Sequence, residues 1–249
     1  MAHLPDMLPH LHLFSVEGRV PYRAGLEWQR TLARERIDDT LTDDIVLLLE
    51  HEPVVTYGRG SDPANLSLSE KALESSGIEL CEVERGGDVT YHGPGQIVGY
   101  PIIDLNRYRK DLHWYLRTLE ETLILALGEL GVAAFRNAPH TGVWVGDPDG
   151  SLGARSQRKI ASIGVHVSRW ITWHGFALNV TNEPLQTFGL LVPCGIQGVY
   201  MTSLEAEAAP VLDPGRVERA LAHGLSHAFG VDVTTEASIA VGQIPVVTT

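Results

Sequence analysis

An α+β fold, a mixed sheet with flanking helices, is what this 249-residue sequence predicts. Three observations carry that prediction. Segments of strand character outnumber helical ones. They come mostly in neighbouring runs instead of alternating with helices, which disfavours a doubly wound parallel sheet. And 44% hydrophobic residues in a chain of this length are enough to bury a substantial core. No internal repeat is visible. Residues 1–234 read as a single domain, and 235–249, without convincing periodicity, as a C-terminal tail.

His10 to Val16 reads as a strand and Tyr22 to Ile37 as a helix, with Leu26, Ala33 and Ile37 on one face. Ile45 to Leu49 and Val54 to Tyr57 are strands separated by His51-Glu52-Pro53. Ser67-x-x-Glu70 has capping-box spacing and starts a short helix to Ser75, ended by Gly77. Ile78 to Glu84, Val89 to His92 and Ile97 to Asp104 are strands around two glycine-rich turns. Asp111 to Leu130 is the longest helical pattern, closed by Gly131. Val132 to Arg136 and Gly142 to Val145 follow as strands, and 147–157 as a mobile polar surface loop. Lys159 to Val167 and Ile171 to Val180 form a hairpin around Ser168-Arg169-Trp170. Asp213 caps a final helix to Phe229, with Pro214 at its first position.

The formal net charge is −12, which argues against a nucleic-acid partner, since that needs a basic footprint. Two cysteines, Cys81 and Cys194, make no disulfide framework and read as reduced thiols of a cytoplasmic protein. No run of about 18 apolar residues is present and the N-terminus lacks the features of a secretion signal, so no membrane association is expected. His10/His12 and His223/His227 have ligand-like spacing but no accompanying acid of the zinc-protease type, and no metal site is expected.

Four segments carry chemistry. The first, Arg85-Gly86-Gly87-Asp88-Val89-Thr90-Tyr91-His92-Gly93-Pro94-Gly95-Gln96, lets the backbone come close to a ligand. Tight hairpin turns explain its glycines equally well, but not the embedded Arg85, Tyr91, His92 and Gln96. Neither phosphate-cradle motif applies. The second is Lys159 to Gly164, an alternating strand entered by a lysine, one of three in the chain with Lys71 and Lys110. A lysine at a strand end is ordinarily just solvated. The third is Trp173 to Val180, whose His174 reads as a satisfied core histidine. The fourth is Pro193-Cys194-Gly195-Ile196, a cysteine in a turn, where access and a neighbouring cation make a thiol reactive. Cys81, inside an apolar strand, reads as inert.

Taken together, RGGDVTYHGPGQIVGYPIIDL, KIASIGVHVSRWITWHGFALNV and FGLLVPCGI resemble the lipoyl(octanoyl) transferases, in the family's order and over roughly residues 10 to 230. The resemblance implies the catalytic-domain fold shared with lipoate and biotin protein ligases, with 1–234 as a single octanoyltransferase catalytic domain. It implies transfer of an octanoyl group from octanoyl-acyl carrier protein to lipoyl domains of 2-oxoacid dehydrogenase complexes and to the glycine cleavage H protein. Cys194 takes the place of the acyl-thioester nucleophile and Lys159 that of its partner. Arg85, Gly86, Gly87, Asp88, Val89, Thr90, Tyr91 and His92 correspond to substrate-binding positions, as do Ser162, Ile163, Gly164, Gly175, Phe176 and Ala177. Glu183 departs from the family pattern, outside the chemical residues.

The chemistry follows from the residue types. A thiol with a pKa of about 8.5 is mostly protonated at neutral pH, and a nearby ammonium favours the thiolate. The thiolate attacks the donor thioester, and the acceptor lysine then takes the acyl group. Thioester exchange is close to energy-neutral, so no ATP and no cofactor are required. An ATP-dependent ligase on the same fold and a catalytically silent acyl-binding protein remain the alternatives; the turn cysteine and retained Lys159 favour transfer. Two basic clusters are candidates for docking an acidic carrier protein: Arg107, Arg109 and Lys110, and the favoured Arg155, Arg158 and Arg169.

Overall fold

A computed structural model describes residues 9–66, 69–138, 140–153, 156–189, 199–208 and 213–243. The chain runs β1 (Leu11–Val20), α1 (Tyr22–Ile37), β2 (Asp44–His51), β3 (Val54–Tyr57), α2 (Glu70–Ser75), β4 (Glu79–Glu82), β5 (Thr90–His92) and β6 (Gln96–Ile102). It continues through α3 (Leu112–Glu129), β7 (Ala134–Asn137), β8 (His140–Gly146), β9 (Gln157–Ser168), β10 (Ile171–Asn179) and α4 (Glu183–Phe188). β11 (Tyr200–Met201), α5 (Leu204–Glu207), α6 (Pro214–Phe229), β12 (Val233–Thr235) and β13 (Ile239–Ala240) complete it.

Among the described residues ten strands form one mixed sheet in the order β12-β1-β2-β6-β10-β9-β8-β7, with β11 on β9 and β13 on β1. β1 and β2 are parallel, as a crossover through α1 allows. The β2–β6, β6–β10, β10–β9 and β9–β8 pairs are antiparallel. A smaller sheet, β4-β3-β5, packs beside it. Alternate residues of each strand face opposite sides. Val46 and Leu48 of β2 pack with Leu119, Leu123 and Leu221 of α3 and α6, while Ile45, Leu47 and Leu49 pack with Trp28 and Leu32 of α1. Each fully buried aliphatic side chain contributes about 1.5–3 kcal/mol, so the two faces hold the layers together.

The helix ends follow from local chemistry. Asp111 accepts the Trp114 N–H at 3.1 Å, Asp213 accepts that of Gly215 at 3.2 Å, and Gly230 closes α6 with a left-handed φ of 67°. α2 differs from expectation: its cap is Ser69, whose Oγ accepts the Ala72 N–H at 3.3 Å, and the helix begins at Glu70. The expected cap, Ser67, lies outside the described residues.

The expected tail also needs correction. Thr235 closes β12, and Ile239 and Ala240 pair in parallel with Val16 and Glu17 of β1. These short strands are ordered by their partner's free edge, not by a pattern of their own. In the expected surface loop, Asp147 organises the turn: its carboxylate accepts Leu152 N–H at 2.8 Å and Ser151 Oγ–H at 3.0 Å. Among the described residues no helix is long and apolar enough to cross a membrane.

Candidate active site

A cavity of about 370 Å³ lies against β9 and β10, with the 85–92 segment along one wall and Leu112 and Leu116 of α3 along another. That volume lies within the range of ordinary small-molecule sites. Arg85, Gly86, Gly87, Asp88, Thr90 and His92 line it, and so do Ser162, Ile163, Gly164, Gly175, Phe176, Ala177 and Lys159. Val89 and Tyr91 do not. The period-2 alternation that turns Thr90 and His92 inward sends Val89 and Tyr91 to the opposite face. There they pack with Val55, Leu73 and Phe188, the Tyr91 and Phe188 rings meeting edge-on at 5.9 Å. These two positions are core of the small sheet, while the rest of the expected stretch lines the cavity.

Lys159 is not a solvated strand-end lysine: it is 2% exposed. Its Nζ sits 5.7 Å from the centre of the Trp144 ring, and its carbonyl accepts the Thr202 N–H at 2.9 Å. Gly142 on β8 makes the channel for its side chain. A Cβ there would stand 2.6 Å from Lys159 Cε and 2.7 Å from the Ala161 carbonyl oxygen, and the φ of +124° suits only glycine. Buried Glu120 of α3 holds Gly142 in place by accepting its N–H at 3.1 Å, and is itself balanced by Arg117 and Arg136. Cys194 lies outside the described residues, as does Arg155. Arg158, expected as part of a docking cluster, is bonded through Nε and Nη2 to Glu207, 2.8 Å each, so its charge is spent internally.

The glycine-rich segment is stitched to its neighbours. Arg85 is buried, and its Nη2 donates to Thr56 at both the carbonyl (2.9 Å) and the hydroxyl (2.8 Å). The Gly86 N–H donates to the Val165 carbonyl at 2.9 Å. Gly164 permits that approach, since a Cβ on it would lie 3.0 Å from the Gly86 carbonyl oxygen. Asp88 faces the cavity but also accepts from the Asp62 and Val89 N–H groups and from Asn65 Nδ2, which ties the segment to the 62–65 turn.

The remaining wall is a set of uncharged polar rings, Tyr22, His92, Tyr100 and His174, with His51 packed against Tyr100 outside the lining. His51 donates from Nδ1 to the Val20 carbonyl at 2.8 Å and accepts at Nε2 from the Tyr100 hydroxyl at 2.6 Å. Gln96 donates its amide N–H groups to Tyr91 and Asn179 oxygens, so its Oε1 accepts from His92 Nδ1 at 3.1 Å. Burial pushes His51 down to about 4 and His174 down to about 3, the latter against the pull of Glu84. Burial, then neighbouring His51 and Arg85, lowers His92 as well. All three imidazoles are therefore neutral at pH 7, which suits an uncharged ligand.

Tyr22, Tyr100 and His174 line this end without having been expected there. Tyr22 opens α1 and Tyr100 lies in an apolar strand, so neither carries a local signal. His174 had one, its place inside a glycine-flanked motif, but its ring is not the satisfied core group expected: among the described residues neither nitrogen has a hydrogen-bond partner.

Residues 21–226 match the model of the lipoyl protein ligase A/B catalytic domain. An octanoyltransferase of Gloeobacter violaceus is 45% identical over 214 residues, 86% of this chain and 88% of its own. One of Acidobacterium capsulatum is 46% identical over 232 residues, 90% of each chain. Among solved structures, a bi-partite lipoate protein ligase from Thermoplasma acidophilum superposes with a TM-score of 0.70 at 17% identity, covering 94% of this chain and 88% of that one. Lipoate-protein ligase A bound with ATP gives 0.68 at 17%, covering 94% and 90%. These two likenesses concern the fold. The identity to the octanoyltransferases covers most of both chains, and on that ground the chain belongs to the octanoyltransferases of the lipoyl protein ligase A/B catalytic-domain family.

Proposed function

We propose that this chain moves an octanoyl group from octanoyl-acyl carrier protein to the side-chain amine of a lysine on a lipoyl domain, through a thioester on Cys194. Lys159 takes the proton from the Cys194 thiol. The thiolate attacks the carbonyl carbon of the donor thioester; that C–S bond breaks, and the carrier's sulfur leaves with the proton from Lys159. The acceptor amine next attacks the octanoyl-Cys194 carbonyl, the C–S bond to Cys194 breaks, and the amine's proton passes through Lys159 to the cysteine sulfur. The products are an amide and the starting enzyme, and the cycle uses neither ATP nor a cofactor.

One observation supports the reading above the others. Lys159 is a buried amine on the wall of a cavity, and β11, which begins six residues after Cys194, pairs with β9 at Arg158 and Lys159. The acceptors fitting this reading are the lipoyl domains of 2-oxoacid dehydrogenase complexes and the glycine cleavage H protein, and the compartment is the cytoplasm. Intact-mass measurement after mixing the protein with octanoyl-carrier protein, without ATP, tests it. An octanoyl adduct on the wild type that is missing from Cys194→Ser is the expected result; no adduct without ATP overturns the reading.

A further inference from the structure

Among the cavity-lining side chains that the transfer chemistry leaves unused, His174 stands apart. His174 is 1% exposed, and its backbone is left-handed, with φ of 55°. The cause of that geometry lies in its neighbours. The β6–β10 ladder ends at the Gly99–Phe176 pair, and the Pro101 carbonyl is taken by the Thr172 hydroxyl at 2.8 Å. The His174 N–H turns instead to Gln29 Oε1 of α1, at 2.9 Å. The ring consequently reaches the cavity beside Tyr100, whose ring centre is 6.5 Å away.

A neutral imidazole has one donor and one acceptor, and burying both without partners is unfavourable. Among the described residues neither His174 nitrogen has a hydrogen-bond partner. The nearest carboxylate oxygen, Glu84 Oε2, is 4.0 Å from Nε2, and Glu84 is already engaged by Arg30 and the Trp173 indole N–H. The groups left to satisfy the ring are those of a cavity occupant.

Position along the sheet says which part of an occupant. His174 stands opposite Val165, six residues along β9 from Lys159. At ~3.3 Å per residue that is about 20 Å. An eight-carbon acyl chain in its extended form spans roughly 9 Å, and a ten-carbon chain carrying a terminal oxygen about 13 Å. The ~20 Å is a backbone-to-backbone span that the Lys159 and His174 side chains shorten by several Å each, so a chain of about eight to ten carbons ending in an oxygen reaches from the Lys159 end to the imidazole.

We infer that His174 forms a hydrogen-bonding subsite for a polar group at the far end of the acyl chain, and that the cavity accepts ω-hydroxyacyl thioesters of about eight to ten carbons in addition to plain chains. The inference rests on the octanoyl-transfer reading for the orientation of the chain.

The test compares kcat/KM for 10-hydroxydecanoyl and decanoyl N-acetylcysteamine thioesters, with a lipoyl domain as acceptor, in wild type, His174→Phe and His174→Asn. Wild type should favour the hydroxylated donor by about five- to tenfold, the effect of one net hydrogen bond, expressed mainly in KM. His174→Phe should bring the ratio to one or below. His174→Asn tolerates the left-handed backbone but is shorter, and should lose more than half of the preference. A wild-type ratio of one, or an equal ratio in wild type and both variants, overturns the subsite. Calorimetric binding of 10-hydroxydecanoate against decanoate provides the same ratio without turnover. If wild type fails to transfer plain octanoyl groups, the transferase reading fails, and the calorimetric ratio still decides the subsite.

Discussion

Gly142→Ala should cripple the site by displacing Lys159. The added methyl would lie 2.6 Å from Lys159 Cε, 3.2 Å from its Nζ and 2.7 Å from the Ala161 carbonyl oxygen. The lysine tip is able to swing, but the carbonyl belongs to β9 and resists. A non-glycine residue in a sparsely populated backbone region costs about 1–3 kcal/mol, and overpacking a filled site another 1–3. The midpoint, about 4 kcal/mol, corresponds to a melting temperature lower by about 10 °C in a chain of this size. The lysine amine must move by roughly 1 Å, and a misplacement of that order costs about a hundredfold in rate. The assay is kcat/KM for octanoyl transfer, well below the variant's melting temperature, beside a thermal melt. Gly128→Ala is the control, since nothing lies within 4 Å of a Cβ there and the position is helical. It should raise stability by up to about 1 kcal/mol and leave the rate alone. A Gly142→Ala protein with wild-type rate and melting temperature would refute the packing argument.

Gly164→Val drives a side chain toward the Gly86 carbonyl (3.0 Å) and Arg85 Cδ (3.3 Å), and should reduce reaction with an octanoyl donor about tenfold more than with an acetyl donor; equal losses would show that the residue does not shape the chain-binding wall. Acid should destabilise the fold through the buried imidazoles. Unfolded histidines take up protons below about pH 6.5, while folded His51 and His174 resist until about 4 and about 3, so stability is full above 6.5 and is lost as pH falls. With His92 included, denaturant melts should show a loss of roughly 3 kcal/mol between pH 7 and 5.5, and a flat profile would contradict neutral burial. Arg109 and Lys110 are exposed near the Leu112 wall of the cavity, Arg109 beside Asp111 at 3.3 Å, and are the docking charges to test first. Arg109→Glu with Lys110→Glu should raise KM for octanoyl-carrier protein at low salt but not for a small octanoyl thioester, and unchanged salt dependence would rule out this face.

The elements legible in the sequence are those whose signal is local. α1 occupies the expected span, because a 3.6-residue apolar period needs no distant partner to be recognised. Asp213 caps α6 as expected, since a cap is an oxygen meeting an N–H two or three residues on, and Asp111, the expected first residue of α3, caps that helix. The β9–β10 hairpin likewise brackets the expected turn at Ser168-Arg169-Trp170. The cavity-lining segments were legible as short strings of residue types, and so was Lys159 as one of three lysines beside an alternating strand.

What depends on partners from far along the chain was not legible. α4 and α5 are too short to show a period, and β12 and β13 exist because β1 offers them an open edge. Whether Val89 or Thr90 faces the cavity depends on where β5 lies against β3, not on the run of residues itself. Lys159 is buried because Gly142, Trp144 and Thr202 close around it from β8 and from beyond β11. His174 takes a left-handed backbone within β10, its N–H bonded to Gln29, 145 positions earlier, a conformation that no strand pattern contains. Periodicity and capping act over a few residues and are written in the chain; burial, facing and polar satisfaction are set by surfaces that meet only when it folds.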